Sequence, residues 1–261
     1  MVAPKILLSW VNHVDLSVSV ITASQETGNL SISNVASSII GRRWRTTELT
    51  GWGQVDFGTD QEVGVLALRF PRDTPFPVAG TISHQLDADG GTPGAGAAYA
   101  ALTQPIGTTE GYGYHVHLPT TAITARYWRF TFAVTGVSFI DVGRAWAGPA
   151  WRPTFNIALG YQDGWSDLSR ISSSTRSGAE FVDVRARQRA FTFGLEALSD
   201  TERDELREMG RLTGISQQLL FVKDPDTPTM ETVLGRMSGT TPIRHRNIPI
   251  HQKAFSIRES L

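Results

Sequence analysis

His115 and His117 stand two apart in Tyr114-His115-Val116-His117-Leu118. On an extended strand this spacing puts both imidazoles on one face, as in an H-x-H metal pair. Zinc asks for three or four ligands, each steadied by a second layer of hydrogen bonds. No third ligand stands near them in sequence, and the chain has no cysteine. The expectation is solvent-facing strand histidines and no metal. Asp87-Ala88-Asp89-Gly90-Gly91 begins like a calcium loop but lacks the later acidic ligand, so it reads as a turn. A structural calcium there stays open. Ser172, Ser173, Ser174, Thr175 and Ser177 supply hydroxyls without a G-x-S-x-G elbow or an adjacent His-Asp pair. Gly107-Thr108-Thr109-Glu110-Gly111-Tyr112-Gly113 lacks the lysine of a phosphate-binding loop. Asp224 and Asp226 flank Pro225 in a turn, whereas glycoside hydrolysis needs two carboxylates ~5–9 Å apart in a cleft. No cofactor is implied, and the chain is expected not to be an enzyme.

Two residue groups suit binding better than catalysis. Arg185, Arg187 and Arg189 share parity and would project from one face of a strand, with Val182, Val184 and Ala186 on the other. A solvated face and a charged seam against a neighbouring subunit both fit, because arginine forks pair well with carboxylates across interfaces. Contact with nucleic acid is the weaker third reading. The tryptophans raise the question of sugar stacking. Core packing competes with it, and the strand placement of Trp52 and Trp128 favours the core. Trp165, in the turn-rich run Gly160-Tyr161-Gln162-Asp163-Gly164-Trp165, is with Tyr161 the best candidate for an exposed partner or glycan contact.

Composition narrows the class. The chain is 40% hydrophobic and 19% charged over 261 residues, enough for a folded core. A formal net charge of −1 gives no general reason to bind nucleic acid or membranes. Lys5, Lys223 and Lys253 are the only lysines among 24 basic residues. The first residues have no long apolar core, and no apolar run approaches the ~18 residues of a membrane helix. The expectation is a soluble protein made in a cytosol.

These groups are positioned by two dissimilar halves. All seven tryptophans fall between Trp10 and Trp165, while charge concentrates after residue 150. Pro149 and Pro153 bracket the change, giving expected domains 1–150 and 151–261, with a first strand near Lys5–Trp10 able to join the second. The first half reads as short strands between turns: Leu16–Thr22, Gln54–Phe57, Val63–Phe70, Ala79–Gln85, Tyr112–Leu118, Arg126–Val134 and Phe139–Trp146. In the second half Ser199-Asp200-Thr201-Glu202 is a capping box that starts a helix over about 200–213. Leu206, Met209 and Leu212 would form its apolar stripe, and Gly214 its stop. The fold class expected is mainly β: a jelly-roll sandwich, then a β-barrel or sandwich with one packed helix.

Two resemblances sharpen this reading. Asn34, Trp44-Arg45-Thr46, Trp52-Gly53-Gln54-Val55-Asp56-Phe57-Gly58, Val63–Leu68 and Ala125-Arg126-Tyr127-Trp128-Arg129-Phe130 together resemble the discoidin-like, or galactose-binding-like, β-sandwich. The residues carrying that likeness are Trp44, Trp52, Asp56, Arg126, Tyr127 and Arg129. It implies a fold, and some members bind sugars through loops at one end. From Phe181 to Leu261, the strand around Ala190-Phe191-Thr192-Phe193, the capped helix, Gly235-Arg236 and Phe255-Ser256-Ile257 resemble the ring-forming β domain of bacteriophage distal-tail and minor-tail proteins. In the best-known of those the ring domain comes first, whereas here the sandwich does. The second resemblance implies a structural virion component at the tail tip, made in the bacterial cytoplasm. It would form a homo-oligomeric ring through head-to-tail contacts and meet tube, hub, tape-measure and fibre proteins. The alternative is a carbohydrate-binding module attaching a particle to host-surface glycans. An enzyme such as a glycan depolymerase stands third.

Overall fold

A computed structural model of the chain describes residues 5–74, 77, 79–87, 102–105, 113–247 and 250–261. Its strands are β1 (Leu7–Ser9), β2 (Val20–Ala23), β3 (Trp44–Arg45), β4 (Thr50–Val63), β5 (Val65–Arg69), β6 (Ala79–Asp87), β7 (Leu102–Pro105), β8 (Tyr114–His117), β9 (Ile123–Thr135), β10 (Asp141–Val142) and β11 (Arg144–Gly148). There follow β12 (Gln162–Asp167), β13 (Arg170–Ser173), β14 (Glu180–Asp183), β15 (Arg187–Leu198), helix α1 (Asp200–Thr213), β16 (Leu219–Val222), β17 (Thr232–Met237), β18 (Arg244–Asn247) and β19 (Ile250–Glu259). The chain divides into two compact units: Met1–Arg152 with Leu220–Thr232, and Pro153–Leu219 with Val233–Leu261. Within the first unit β1 pairs with β16, Leu8 opposite Phe221.

The first unit is a sandwich. A five-stranded sheet, β2-β4-β9-β6-β7, lies against a three-stranded one, β11-β5-β8. Strict alternation builds the larger sheet. Val55 and Phe57 of β4, and Trp128, Phe130, Phe132 and Val134 of β9, point inward and are buried. Gln54, Asp56, Arg129 and Thr131 point out. Leu66 and Leu68 of β5 and Ala145 and Ala147 of β11 close the core from the other side. Each large ring removed from water contributes on the order of 2–3 kcal/mol. The expected strand Val63–Phe70 is two strands, because the chain leaves one sheet and enters the other at Gly64. A Cβ there would stand 2.7 Å from the Ala150 Cβ, so the crossing needs glycine. All five residues of β5 are buried, so this strand is covered on both faces.

Ion pairs hold the loops of this unit. The fully buried Asp141 carboxylate accepts from Arg45 Nε and Nη2, each at 2.7 Å, and from Arg43 Nη1 at 3.2 Å. The guanidinium of the buried Arg144 holds Asp15 in a fork.

In the second unit an open sheet, β17-β19-β15-β12, carries α1 against β15 and β19. It is a sheet and not the barrel that was one of the two expectations. Phe193 and Phe255 stack across β15 and β19 at 5.0 Å. The helix begins at its capping box: the Ser199 amide donates to Glu202 Oε2 at 2.8 Å, and Ser199 Oγ accepts from the Glu202 amide at 3.3 Å. Glu202 Oε1 also accepts from the Thr154 amide, at 2.6 Å. The helix stops at Gly214, whose φ of 49° suits glycine. Its buried stripe is Glu202, Leu206, Met209 and Thr213, and Leu212 is 46% exposed. A period of 3.6 carries the stripe from Met209 to Thr213 and turns Leu212 away.

Candidate functional site

A shallow cavity of about 590 Å³ opens on the outer face of the five-stranded sheet, where β4 begins. Trp52, Thr50 and Thr131 form its floor, and Gln25, Thr47 and Glu48 form its wall. The register puts Trp52 opposite Thr131. The wall is fixed in advance. The Ser24 amide donates to the Trp52 carbonyl at 2.9 Å, and the Trp52 amide donates to Ser24 Oγ at 2.9 Å. Gln25 Oε1 accepts from the Thr47 amide at 3.2 Å, while its Nε2 donates to the Thr50 carbonyl. The Arg129 guanidinium lies 4.2 Å from the Trp52 ring centre and donates to Gln54. Glu48 is exposed and forms no ion pair among the described residues. A half-buried indole beside an open carboxylate and an ordered amide suits a neutral, hydroxyl-rich ligand. The indole meets C–H faces, and the carboxylate accepts from hydroxyls.

The other residues of the discoidin-like pattern serve the framework. Trp44 is fully buried, and its Nε1–H donates to the Gln25 carbonyl at 2.9 Å, under the cavity wall. Asp56 accepts a fork from Arg126 at 2.8 and 3.0 Å and a bond from the Gly58 amide at 2.8 Å. The Arg126 fork, with the Gly58 amide, holds the Asp56 carboxyl below the usual carboxylate range. The Arg126 guanidinium also faces the Tyr127 ring at 5.0 Å. Of the six residues, only Trp52 lines the groove, with Arg129 against its ring.

The histidines correct the expectation of a solvent face. His115 is 1% exposed and His117 half-buried, and both point between the sheets, opposite Leu68 and Leu66. There they meet His84, fully buried on β6. Parity alone could not tell, because Tyr114 and Val116 on the other face are buried too. His84 went unnoticed in the sequence, although it stands between Ile82 and Leu86 at inward parity. The bonding fixes the tautomers. Trp128 Nε1–H donates to His84 Nδ1 at 3.1 Å, so the His84 proton sits on Nε2. His84 Nε2–H then donates to His115 Nδ1, also at 3.1 Å, leaving the His115 proton on Nε2. All three rings are neutral by preference. Burial, reinforced by the His117 charge, pushes His115 down to about 4. Burial, with the charges of His115 and His117, pushes His84 well below the ordinary histidine value. Burial also lowers His117. Among the described residues, no group of three or more His, Asp or Glu side chains could hold a metal ion.

Arg185, Arg187 and Arg189 do not form one row. Arg185 lies outside any strand and pairs with Asp183 at 2.7 Å. Arg187 starts β15 and pairs with Asp167 at 3.1 Å. Arg189 is 4% exposed, covers the Phe191 ring at 4.9 Å, and its amide donates to Glu259. The inward parity that serves Phe191 and Phe193 takes Arg189 into the core. Trp165 and Tyr161 are 51% and 46% exposed, at and just before β12. Asp224 accepts from the Asp226 amide and Thr227 hydroxyl, a local turn. Residues 88–98 of the calcium-like loop and 107–112 of the glycine-rich run lie outside the described residues.

The first unit is thus a β-sandwich of two unequal sheets bearing a shallow, indole-floored groove. No family profile and no curated protein matches the sequence. Among solved structures, the chain is similar to the family 32 carbohydrate-binding module of C. perfringens NanJ, in complex with galactose. That alignment has a TM-score of 0.43 and 13% identity, and covers 54% of this chain and 98% of that one. A chitosan-binding module of a Paenibacillus sp. chitosanase/glucanase gives 0.42 and 22% identity, covering 52% of this chain and 97% of that one. A Ruminococcus gnavus GH29 fucosidase in complex with fucose gives 0.44 and 13% identity, covering 54% of this chain and 27% of the enzyme.

Proposed function

We propose that the chain is a non-catalytic attachment protein whose sandwich holds a neutral sugar in the Trp52 groove. The observation that carries this is the pairing of the half-buried Trp52 indole with the Glu48 carboxylate on a wall already fixed by Gln25. A sugar ring laid on the indole buries its C–H face, and Glu48 accepts two of its hydroxyls. Host-surface glycans are the natural source of such a ligand. The test is a glycan array with the full chain, repeated with Trp52→Ala and Glu48→Gln. Binding lost in the first variant and weakened in the second supports the reading. Equal binding by all three proteins removes it.

A second reading, compatible with the first, rests on a separate observation. Among the described residues β13 and β14 pair only with each other, and every residue of both is exposed. The arm carries Ile171, Phe181 and Val182 at 57–69% exposure, with Val184 beside it at 80%. An isolated two-stranded ribbon is marginal in water. β12 beside it is the outer strand of its sheet, and outer strands recruit other strands. This supports self-association through the second unit, as in a ring at the tip of a phage tail that meets tube, hub, tape-measure and fibre proteins. Light scattering and negative-stain imaging test it. Oligomers or rings that dissolve on Phe181→Ser with Val182→Ser support it, and a monomer at high concentration counts against it.

A further inference from the structure

On β19 a lysine stands where its neighbours are apolar. Lys253, Phe255 and Ile257 take successive inward positions, and Lys253 lies opposite the buried Leu195 of β15. It is 8% exposed. Its Nζ donates to the Thr241 carbonyl at 3.2 Å and lies 5.6 Å from the Phe255 ring centre. Among the described residues this carbonyl is its one hydrogen-bond acceptor, and no carboxylate pairs with it. An ammonium has three donors, and a buried one without a counter-charge is costly. Burial accordingly lowers its pKa from the usual lysine range, which favours the neutral amine with its lone pair.

The amine borders a hollow. A cavity of about 300 Å³ lies within the second unit, between α1, β17 and the turn before β18. Its floor is buried: Leu206 of α1, Met237 of β17 and Lys253. Its rim, with Arg207, Thr240 and Pro242, is exposed. Thr241 lines the same space, and its carbonyl holds Nζ at the wall. A desolvated amine thus meets an apolar floor that solvent reaches from one side.

We propose that Lys253 is a nucleophilic amine that takes up small apolar aldehydes in this cavity as a reversible imine. Desolvation in an apolar pocket is one way in which a lysine is activated towards carbonyl carbons. The Nζ lone pair adds to the carbonyl carbon, forming the C–N bond and giving a carbinolamine. Nitrogen gives up two protons, the former carbonyl oxygen gains two, and that oxygen leaves as water when its bond to carbon breaks. Solvent at the rim relays the protons, and no other reactant is needed. The floor selects an alkyl chain, and the volume limits it to a few carbons. The site stands apart from the sugar groove and from the β13–β14 arm, and its outcome is independent of both.

The experiment treats the full chain at pH 7 with acetaldehyde or with butanal, together with cyanoborohydride, which reduces an imine to a stable secondary amine. Peptide mass mapping reads Lys5, Lys223 and Lys253, the only lysines, in one sample. Lys253 should be labelled at least about tenfold faster than the other two. Its rate should rise by up to roughly fourfold per added methylene, while the rates at Lys5 and Lys223 stay level. In denaturing urea the preference for Lys253 should vanish, and Lys253→Met should remove the fast label from the folded chain. Lysines labelled alike in the folded chain, a preference that survives urea, or a Lys253 rate indifferent to chain length overturns the proposal.

Discussion

Acid should weaken the sandwich through His115. In the folded chain this ring is neutral, because its Nδ1 accepts from His84 and its surroundings are dry. Its pKa falls from 6.5 to about 4. A depressed histidine pKa means that the unfolded chain binds the proton first. Its contribution is complete above pH 6.5 and is lost as pH falls from 6.5 towards 4. A difference of 2.5 units at 1.36 kcal/mol each comes to about 3 kcal/mol. His84 shifts the same way, and the two rings titrate as a coupled pair. The assay is urea unfolding at pH 7 and at pH 4.5. Trp128, whose indole donates to His84, is a reporter beside the site. The midpoint should fall sharply between the two conditions. His115→Leu leaves His84 Nε2 without its acceptor, costing roughly 1–3 kcal/mol at neutral pH. It should also remove the His115 share of the acid loss and leave the share that the buried His84 contributes. A wild-type midpoint that is flat with pH, or a pH dependence unchanged in His115→Leu, would refute the tautomer assignment and the burial argument together.

Asp141→Ala should cost about 1–3 kcal/mol in chemical unfolding, because it removes the buried acceptor of the Arg45 fork, while Arg43 keeps its pair with Asp73. Arg45→Gln alone should cost less, since the carboxylate keeps Arg43. Ser199→Ala should cost about 1 kcal/mol by removing the helix cap, read by thermal unfolding of the second unit. The serine pair at Phe181 and Val182 should leave the unfolding midpoint nearly unchanged while lowering the sedimentation coefficient at high concentration, because those side chains bury little within the chain.

The regular parts of this fold were legible from local chemistry. The capping box names its own donors and acceptors, and the helix starts after Ser199 and ends at Thr213, before Gly214. Strands such as β9 alternate because one face meets the core and one meets water. The irregular parts were not legible, each for a definite reason. The strand break at Gly64 depends on Ala150, far away in sequence. The histidine relay depends on two sheets meeting, and β8 is buried on both faces, so alternation there carries no sign. Lys253 and Arg189 sit at inward positions of strands that otherwise follow the rule. A lysine or arginine at apolar parity was the available signal. The groove was half legible: Trp52 stood in a recognisable strand, but Gln25 and Glu48 come from loops that only the fold brings to it.

The groove beside Trp52 carries the proposed function, and two-dimensional NMR of the tryptophan indoles tests it directly. The full chain, with indole nitrogens labelled, is titrated with neutral hexoses, galactose among them. A shift confined to Trp52, saturating with sugar and needing more sugar to saturate in Glu48→Gln, is the predicted result. Unmoved Trp52 with every sugar tried, or a response only from tryptophans outside the groove, would contradict it.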